Sequence, residues 1–162
     1  MDELASRKYP VREHMRFQRR LWTIERIGWL VLALITVLAL LGLFGTGILS
    51  NRSISAGSLT IDYDRFERVT RQAEFSFHFA PSSNGERRLR LNRAFQTNYQ
   101  IASIQPPPAR SSADGLDLTF AAPAGSAADV VIWAHAHSYG TMRLEARADD
   151  EPPLKFSVFV YP

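Results

Sequence analysis

The sequence predicts an N-terminal transmembrane α-helix followed by an all-β extracytoplasmic domain, an antiparallel immunoglobulin-like β-sandwich of about seven or eight strands. Three observations predict it. Residues 27–49 contain no ionisable side chain. From Leu59 onward apolar residues recur at every second position, and clusters of Pro, Gly, Asn and Asp separate these runs at intervals of about 10–15 residues.

The first element in chain order is a basic cytoplasmic segment, residues 1–26. Arg7, Lys8, Arg12, Arg16, Arg19, Arg20 and Arg26 face only Asp2, Glu3, Glu13 and Glu25, so the segment carries the whole net charge of +3 and the remainder is balanced. That distribution argues against a nucleic-acid-binding domain, whose basic charge would cover the folded surface. The transmembrane helix follows at 27–49, and its 23 residues rise roughly 34 Å, enough for a hydrocarbon core of about 30 Å. A chain of 162 residues cannot bury a helix that is apolar on every side. A cleaved signal peptide is the competing reading. Against it stand the long leader, an apolar run beyond the usual 7–15 residues, and only weak cleavage candidates at Gly45-Thr46-Gly47 and Ala56.

Arg16, Arg19, Arg20 and Arg26 crowd one flank while Arg52 stands alone beyond the other, which sets the N-terminus in the cytoplasm. Arginine outnumbers lysine seventeen to two, as in GC-rich bacterial coding, so the expected location is the bacterial inner membrane with the C-terminal domain in the periplasm. Trp22, Arg26 and Trp29 are the expected membrane anchors at the cytoplasmic interface. Phe17, Leu21 and Ile24 recur at helical spacing, so the helix begins before the membrane. Gly42, Gly45 and Gly47 suit either close helix packing or fraying at the far end. Residues 50–58, small and polar, read as a linker to the domain at 59–162.

Strands are expected where alternation is clean: Leu59/Ile61/Tyr63, Phe75/Phe77/Phe79, Leu89/Leu91, Leu116/Leu118/Phe120, Val130/Ile132 with Val131/Trp133 opposite, Met142/Leu144 and Phe156/Val158/Val160, with a further strand around Tyr99–Ile104. Asn92–Thr97 breaks the alternation and suggests a helical turn.

Chemistry is sparse. Without cysteine there is no disulfide, thiolate metal site or thiol nucleophile, and no phosphate-loop, nucleophile-elbow or HExxH motif occurs in the extramembrane region, so neither enzyme activity nor a cofactor is expected. His135 and His137 fall on one strand face with Trp133 and are the candidate metal ligands, with Asp114 or Asp129 to complete the set; exposed histidines above Val130, Ile132, Ala134 and Ala136 are the simpler reading. Asp62, Asp64 and Glu67 with Arg65, Arg68 and Arg71 form a mixed-charge group, and Arg87, Arg88, Arg90 and Arg93 a basic one, both readable as solvated faces. On the last strand Phe156, Val158 and Val160 share one face and Phe159 and Tyr161 the other. One face enters the core; Phe159 and Tyr161 then need cover from a loop, the linker or a partner, and are the candidate interaction residues on a docking edge.

Four stretches carry a resemblance: Trp22-Thr-Ile-Glu25-Arg26-Ile-Gly28-Trp29, Leu41-Gly-Leu-Phe-Gly45-Thr-Gly47-Ile-Leu-Ser50, Leu59-Thr-Ile-Asp-Tyr63-Asp-Arg65-Phe66 and Phe159-Val-Tyr-Pro162. Together they resemble a group of single-pass inner-membrane proteins of proteobacteria, similar to those encoded beside YetF-like multi-pass membrane proteins. The resemblance implies an accessory role and no activity, and His135 and His137 lie outside it. The expected function is therefore a non-enzymatic, membrane-anchored periplasmic module partnered by the lipid bilayer and a membrane protein. The alternative is a small-ligand or metal-sensing domain.

Overall fold

The computed structural model describes residues 15–41 and 50–162, and the chain divides into two compact units, Met1–Ala39 and Leu40–Pro162. Helix α1 runs over Met15–Leu40, well ahead of Ile27, as the helical spacing of Leu21 and Ile24 anticipates. Within it Arg20–Leu40 is long and apolar enough to cross a membrane by length and composition. No proline interrupts it, and the one hydroxyl in its apolar half is satisfied internally, Thr36 Oγ1 donating to the Leu32 carbonyl at 2.9 Å. Apart from half-buried Leu38, its Leu, Ile and Val side chains from Leu21 to Leu40 are exposed. The rest of the expected span, 42–49 with its three glycines, and the basic stretch 1–14 lie outside the described residues.

The second unit is a sandwich of two sheets. Its strands are β1 (Asn51–Ala56), β2 (Leu59–Asp64), β3 (Phe66–Arg68), β4 (Gln72–Phe79), β5 (Glu86–Leu91), β6 (Tyr99–Gln105), β7 (Arg110–Ser111), β8 (Asp117–Ala121), β9 (Ala128–Ala136), β10 (Gly140–Ala148) and β11 (Leu154–Tyr161), with a short helix α2 (Arg93–Asn98) between β5 and β6. One sheet is ordered β1-β2-β4-β9-β6 and the other β3-β11-β10-β5-β8-β7. All pairings are antiparallel except β3 with β11, which is parallel in the register Phe66↔Phe159 and Arg68↔Tyr161.

Alternation explains the core. Leu59, Ile61 and Tyr63 from β2, Phe75, Phe77 and Phe79 from β4, and Val130, Ile132, Ala134 and Ala136 from β9 enter from the first sheet, facing Leu89, Leu91, Leu118, Phe120, Leu144, Phe156, Val158 and Val160 of the second. Asn92 caps α2 by accepting from the Phe95 N–H at 3.2 Å, and this turn drops Phe95 into the core edge-on to Phe75, with ring centroids 5.2 Å apart.

Three short strands account for the difference between the eleven observed and the seven or eight expected. β1, β3 and β7 are edge pieces whose sequences carry no alternating run of large apolar residues. β1 also corrects the linker assigned to 50–58, because Asn51–Ala56 pairs along its whole length with β2. Gly57, at φ +59°, makes the tight turn between them, where a Cβ would collide with the Glu151 carboxylate that accepts the Ser58 N–H at 2.8 Å. Ser50, fully buried, accepts the Arg65 N–H through its carbonyl at 2.8 Å, and its hydroxyl lies 3.3 Å from both the carbonyl and the N–H of Phe66. Backbone pairing of this kind needs no apolar side chain, which is why composition read as linker.

Arg87 is the second correction. It points inward with Leu89 and Leu91, 1% exposed, and donates to the carbonyls of Asn84, Glu86, Ser82 and Ser126, so it pins the β4–β5 and β8–β9 loops rather than contributing to a solvated basic face. Arg88 and Arg90 do face outward, and both pair with Asp117.

Two fragments test the place of β1. One beginning at Ser50 is expected to give a β-type circular dichroism spectrum and a cooperative melt. One beginning at Gly57 loses the β1 ladder and the Ser50 contacts, and is expected to melt about 5–15 °C lower, corresponding to about 1–3 kcal/mol. Equal melting temperatures would return 50–56 to the status of a linker.

Candidate functional site

Five of the six residues of the mixed-charge group, all but Arg65, line one cleft of about 300 Å³. Asp62 and Asp64 reach it from the outward positions of β2, Glu74 from β4, Glu67 and Arg68 from β3, and Arg71 from the turn after β3. Tyr161 of β11 completes one wall.

Asp62 is oriented by a histidine that the sequence reading passed over. His78 of β4 meets Asp62 Oδ2 through Nε2 at 3.2 Å and Asp129 Oδ1 through Nδ1 at 2.7 Å. The register makes this possible, since Thr60, His78 and Asp129 are neighbours across β2, β4 and β9. The hydrogen bond to Asp129 raises the His78 pKa, with the charges of both aspartates acting the same way against a partial burial that lowers it. Asp62 Oδ1, by contrast, is buried and has no hydrogen-bond partner among the described residues.

Glu67 departs most from a solvated face. It is 7% exposed, points between the sheets, and accepts a hydrogen bond at Oε2 from the Tyr99 hydroxyl at 2.8 Å, while Oε1 is buried without a partner among the described residues. Tyr99 starts β6 at the end of α2 and packs its ring against Phe95 and Phe75 at centroid distances of 5.2 and 5.3 Å. Burial pushes the Glu67 carboxyl up to about 7, with the Asp64 charge adding to the rise and the Tyr99 hydrogen bond opposing it. The Tyr99 hydroxyl is raised for the complementary reasons, burial first and then the Glu67 carboxylate. Burial also raises Asp64, opposed by a hydrogen bond from Ser50 and by the Arg71 charge.

The other candidates stay apart. His135 sits exposed on β9, between Gln72 of β4 and Gln100 of β6 in register. His137 lies one residue past the end of β9 and donates through Nε2 to the Thr97 carbonyl at 2.8 Å. Asp114 is committed to its own turn, accepting from Ser112 and from the Leu116 N–H, which lowers its pKa. Asp129 is committed to His78. Among the described residues no group of three His, Cys, Asp or Glu side chains is placed to hold a metal ion.

Phe159 and Tyr161 part company. The open docking edge expected at β11 is occupied, because β3 pairs with it in parallel; Tyr161 is half-buried in the cleft wall, whereas Phe159 remains 45% exposed beside Phe66. On α1, Trp22 and Trp29 are exposed and the Arg26 guanidinium lies 4.1 Å over the Trp22 ring, one helical turn away. The Glu67–Tyr99 pair left no sequence signal, since 32 residues separate its members and Glu67 sits in a three-residue strand.

No protein-family model and no curated protein matches the chain. Among solved structures it is similar to the cupredoxin domain of AmoB from Nitrosocaldus yellowstonii, at 14% identity and a TM-score of 0.37 over 56% of this chain. The match spans 56% of that chain's length, a little over half.

The Glu67 environment makes stability depend on pH. The folded state retains a proton, near pH 7, that the unfolded carboxyl gives up near pH 4.5. The stabilisation is therefore complete below pH 4.5, is lost as pH rises to 7, and is flat above it. Glu67→Gln keeps an acceptor for Tyr99 without the charge. It is expected to melt with the parent near pH 4 and to exceed it at pH 8 by on the order of 1–3 kcal/mol. A parallel offset at all pH values would contradict this account.

Proposed function

We propose that the chain is a single-pass protein of the bacterial inner membrane, with its N-terminus cytoplasmic and its β-sandwich in the periplasm. In this reading it acts as a non-enzymatic accessory subunit of a membrane protein. The observation that carries the proposal is the helix Arg20–Leu40, long and apolar enough to span, with its Leu, Ile and Val side chains exposed apart from half-buried Leu38. The Arg26–Trp22 stack supports an interfacial anchor at the expected end, and the concentration of arginine ahead of the span supports the orientation. The resemblance to proteobacterial proteins encoded beside YetF-like partners supports the accessory role. Phe159, exposed on the outer face next to Phe66, is the apolar surface that a partner would cover. A second reading, a periplasmic ligand-sensing domain, is favoured by one observation, the cleft lined by two carboxylates with oxygens unpaired among the described residues.

Topology is tested by fusions after Pro162. Alkaline phosphatase is expected to be active there and Sec-exported green fluorescent protein dark, with α1 retained in the mature chain by mass spectrometry. The reverse fusion pattern would invert the orientation, and a mature chain starting beyond residue 41 would make α1 a leader.

The partner surface is tested by Phe159→Ser in the full chain purified from native membranes. The expected result is loss of co-purifying membrane protein with folding stability unchanged to within about 1 kcal/mol, as for other exposed substitutions. A melting temperature lowered by many degrees would place Phe159 in the packing of the domain instead.

A further inference from the structure

We infer that the outer face of β3, β11 and β10 seats the β domain on anionic lipid headgroups, through the guanidiniums of Arg68 and Arg143 and the ring of Tyr139. This rests on the membrane-anchored reading, and it holds Phe159, in the same face, at the depth where a membrane-embedded partner reaches it.

The outward positions of the three strands carry three cationic side chains, Arg68, Lys155 and Arg143, and one carboxylate, Glu145, which Lys155 already pairs at 3.5 Å. Arg68 and Arg143 are exposed and have no ion pair among the described residues. Arg68 borders the acidic cleft as well, yet no described carboxylate there lies within ion-pair distance of it. Two guanidiniums on this face therefore remain uncompensated, and a phosphate is the anion their planar fork fits.

The aromatic side chains gather at the same place. Tyr139, 77% exposed, and Phe159, 45% exposed, are the large hydrophobic side chains that the β domain leaves in the open among the described residues. The register brings them together, since Thr141, two positions after Tyr139, faces Phe159 across β10 and β11, and Phe159 faces Phe66 across β11 and β3. Exposed rings among arginines suit the headgroup layer, where the ring enters the interface and the cation stays at its surface.

Chain connectivity delivers this face to the bilayer. The apolar run 27–49 of the sequence ends one residue before Ser50, which is fully buried in the fold. The Arg65 N–H donates to the Ser50 carbonyl at 2.8 Å, and the Phe159 N–H donates to the Arg65 carbonyl at 2.7 Å. Phe159 thus lies about two strand spacings, roughly 10 Å, from the residue at which the chain leaves the span. An acidic protein offers the same charge, but Ser50 holds the face beside the lipid whichever protein is present.

The chain has no cysteine, so a single introduced one reports a single position. Thr141→Cys, exposed beside Phe159, and Ser83→Cys, exposed in the β4–β5 loop at the end of the sandwich remote from Ser50, are labelled with a fluorophore in the full chain. The labelled chain is reconstituted into vesicles whose headgroups carry a spin-label quencher. With about 30% phosphatidylglycerol in phosphatidylcholine, quenching at Thr141→Cys is expected to exceed that at Ser83→Cys at least about threefold, and to fall to the Ser83→Cys level in pure phosphatidylcholine or in about 0.5 M salt. Arg68→Gln with Arg143→Gln is expected to reduce it at least about twofold. Arg110→Gln, which alters an arginine paired with Glu86, is expected to leave it unchanged.

Equal quenching at the two positions, equal quenching at Thr141→Cys in both lipids, or quenching that survives both arginine substitutions would overturn the proposal. The lipid comparison leaves the arginines in place and decides the matter even if the double variant fails to fold. A Thr141→Cys label unquenched in phosphatidylglycerol vesicles yet shielded from iodide in native membranes would overturn it in favour of an acidic protein. Flotation separates this from anchoring: a chain that does not float with phosphatidylcholine vesicles contradicts the membrane reading and the docking with it, whereas one that floats with both lipids and shows no quenching contradicts the docking alone.

Discussion

Every second side chain along the longer strands must enter the space between two sheets, and that single constraint organises the β domain. On β2, β4, β9, β10 and β11 the inward positions are apolar almost without exception, from Leu59 to Val160. A register slip of one residue in β4 would expel Phe75, Phe77 and Phe79 together and draw Glu74, Ser76 and His78 inside. The outward residues are thereby fixed as a set. His78 can bridge Asp62 and Asp129 only because the phenylalanines beside it are held in the core.

Among the described residues two buried side chains can carry charge, Arg87 and Glu67, and they differ in kind. Arg87 is buried among four backbone carbonyls and, among the described residues, has no carboxylate partner and leaves its Nε unpaired. The guanidinium fork substitutes for water at two loop ends and sacrifices little conformational freedom once seated. Glu67 and Tyr99 are different, because their hydrogen bond joins an edge strand of one sheet to an edge strand of the other, below the Phe75–Phe95 ring cluster. Arg87 ties loops, whereas Glu67 ties sheets. Only the latter also faces a cleft and has an oxygen left over.

What could be read from residues alone follows from the range of the interactions involved. Helix α1, the alternating strands, the capped turn at Asn92 and the inward set of β9 depend on neighbours within a few positions, and all were legible. β1 was not, because Ser50 and Asn51–Ala56 are held by backbone pairing to β2 and by contacts to Arg65 and Phe66, which composition does not encode. Arg87 was misassigned because an arginine between Glu86 and Arg88 looks like a charge run, and its carbonyl partners include Ser126, 39 residues on. The cleft was half legible. Asp62, Asp64, Glu67, Arg68 and Arg71 stood out as a group, but the burial of Glu67 depends on β11 and β6, whose arrival beside β3 no local pattern announces.

The parallel pairing of β3 with β11 has a bearing on the order of events during synthesis. Phe66 meets Phe159, a separation of 93 residues, and the Phe159 N–H donates to the Arg65 carbonyl at 2.7 Å while the Val69 N–H donates to the Tyr161 carbonyl at 3.1 Å. On a chain made from its N-terminus, β3 has no ladder to join until β11 has emerged, and Ser50, whose partners are Arg65 and Phe66, waits on the same segment. Loop closure over that distance comes late, so β3 remains without a ladder through most of elongation, while β1, β2 and β4 pair among themselves. β3, three residues long, is thus the last strand of its sheet's edge to find its ladder, although β11 is itself held by β10 and β1 by β2.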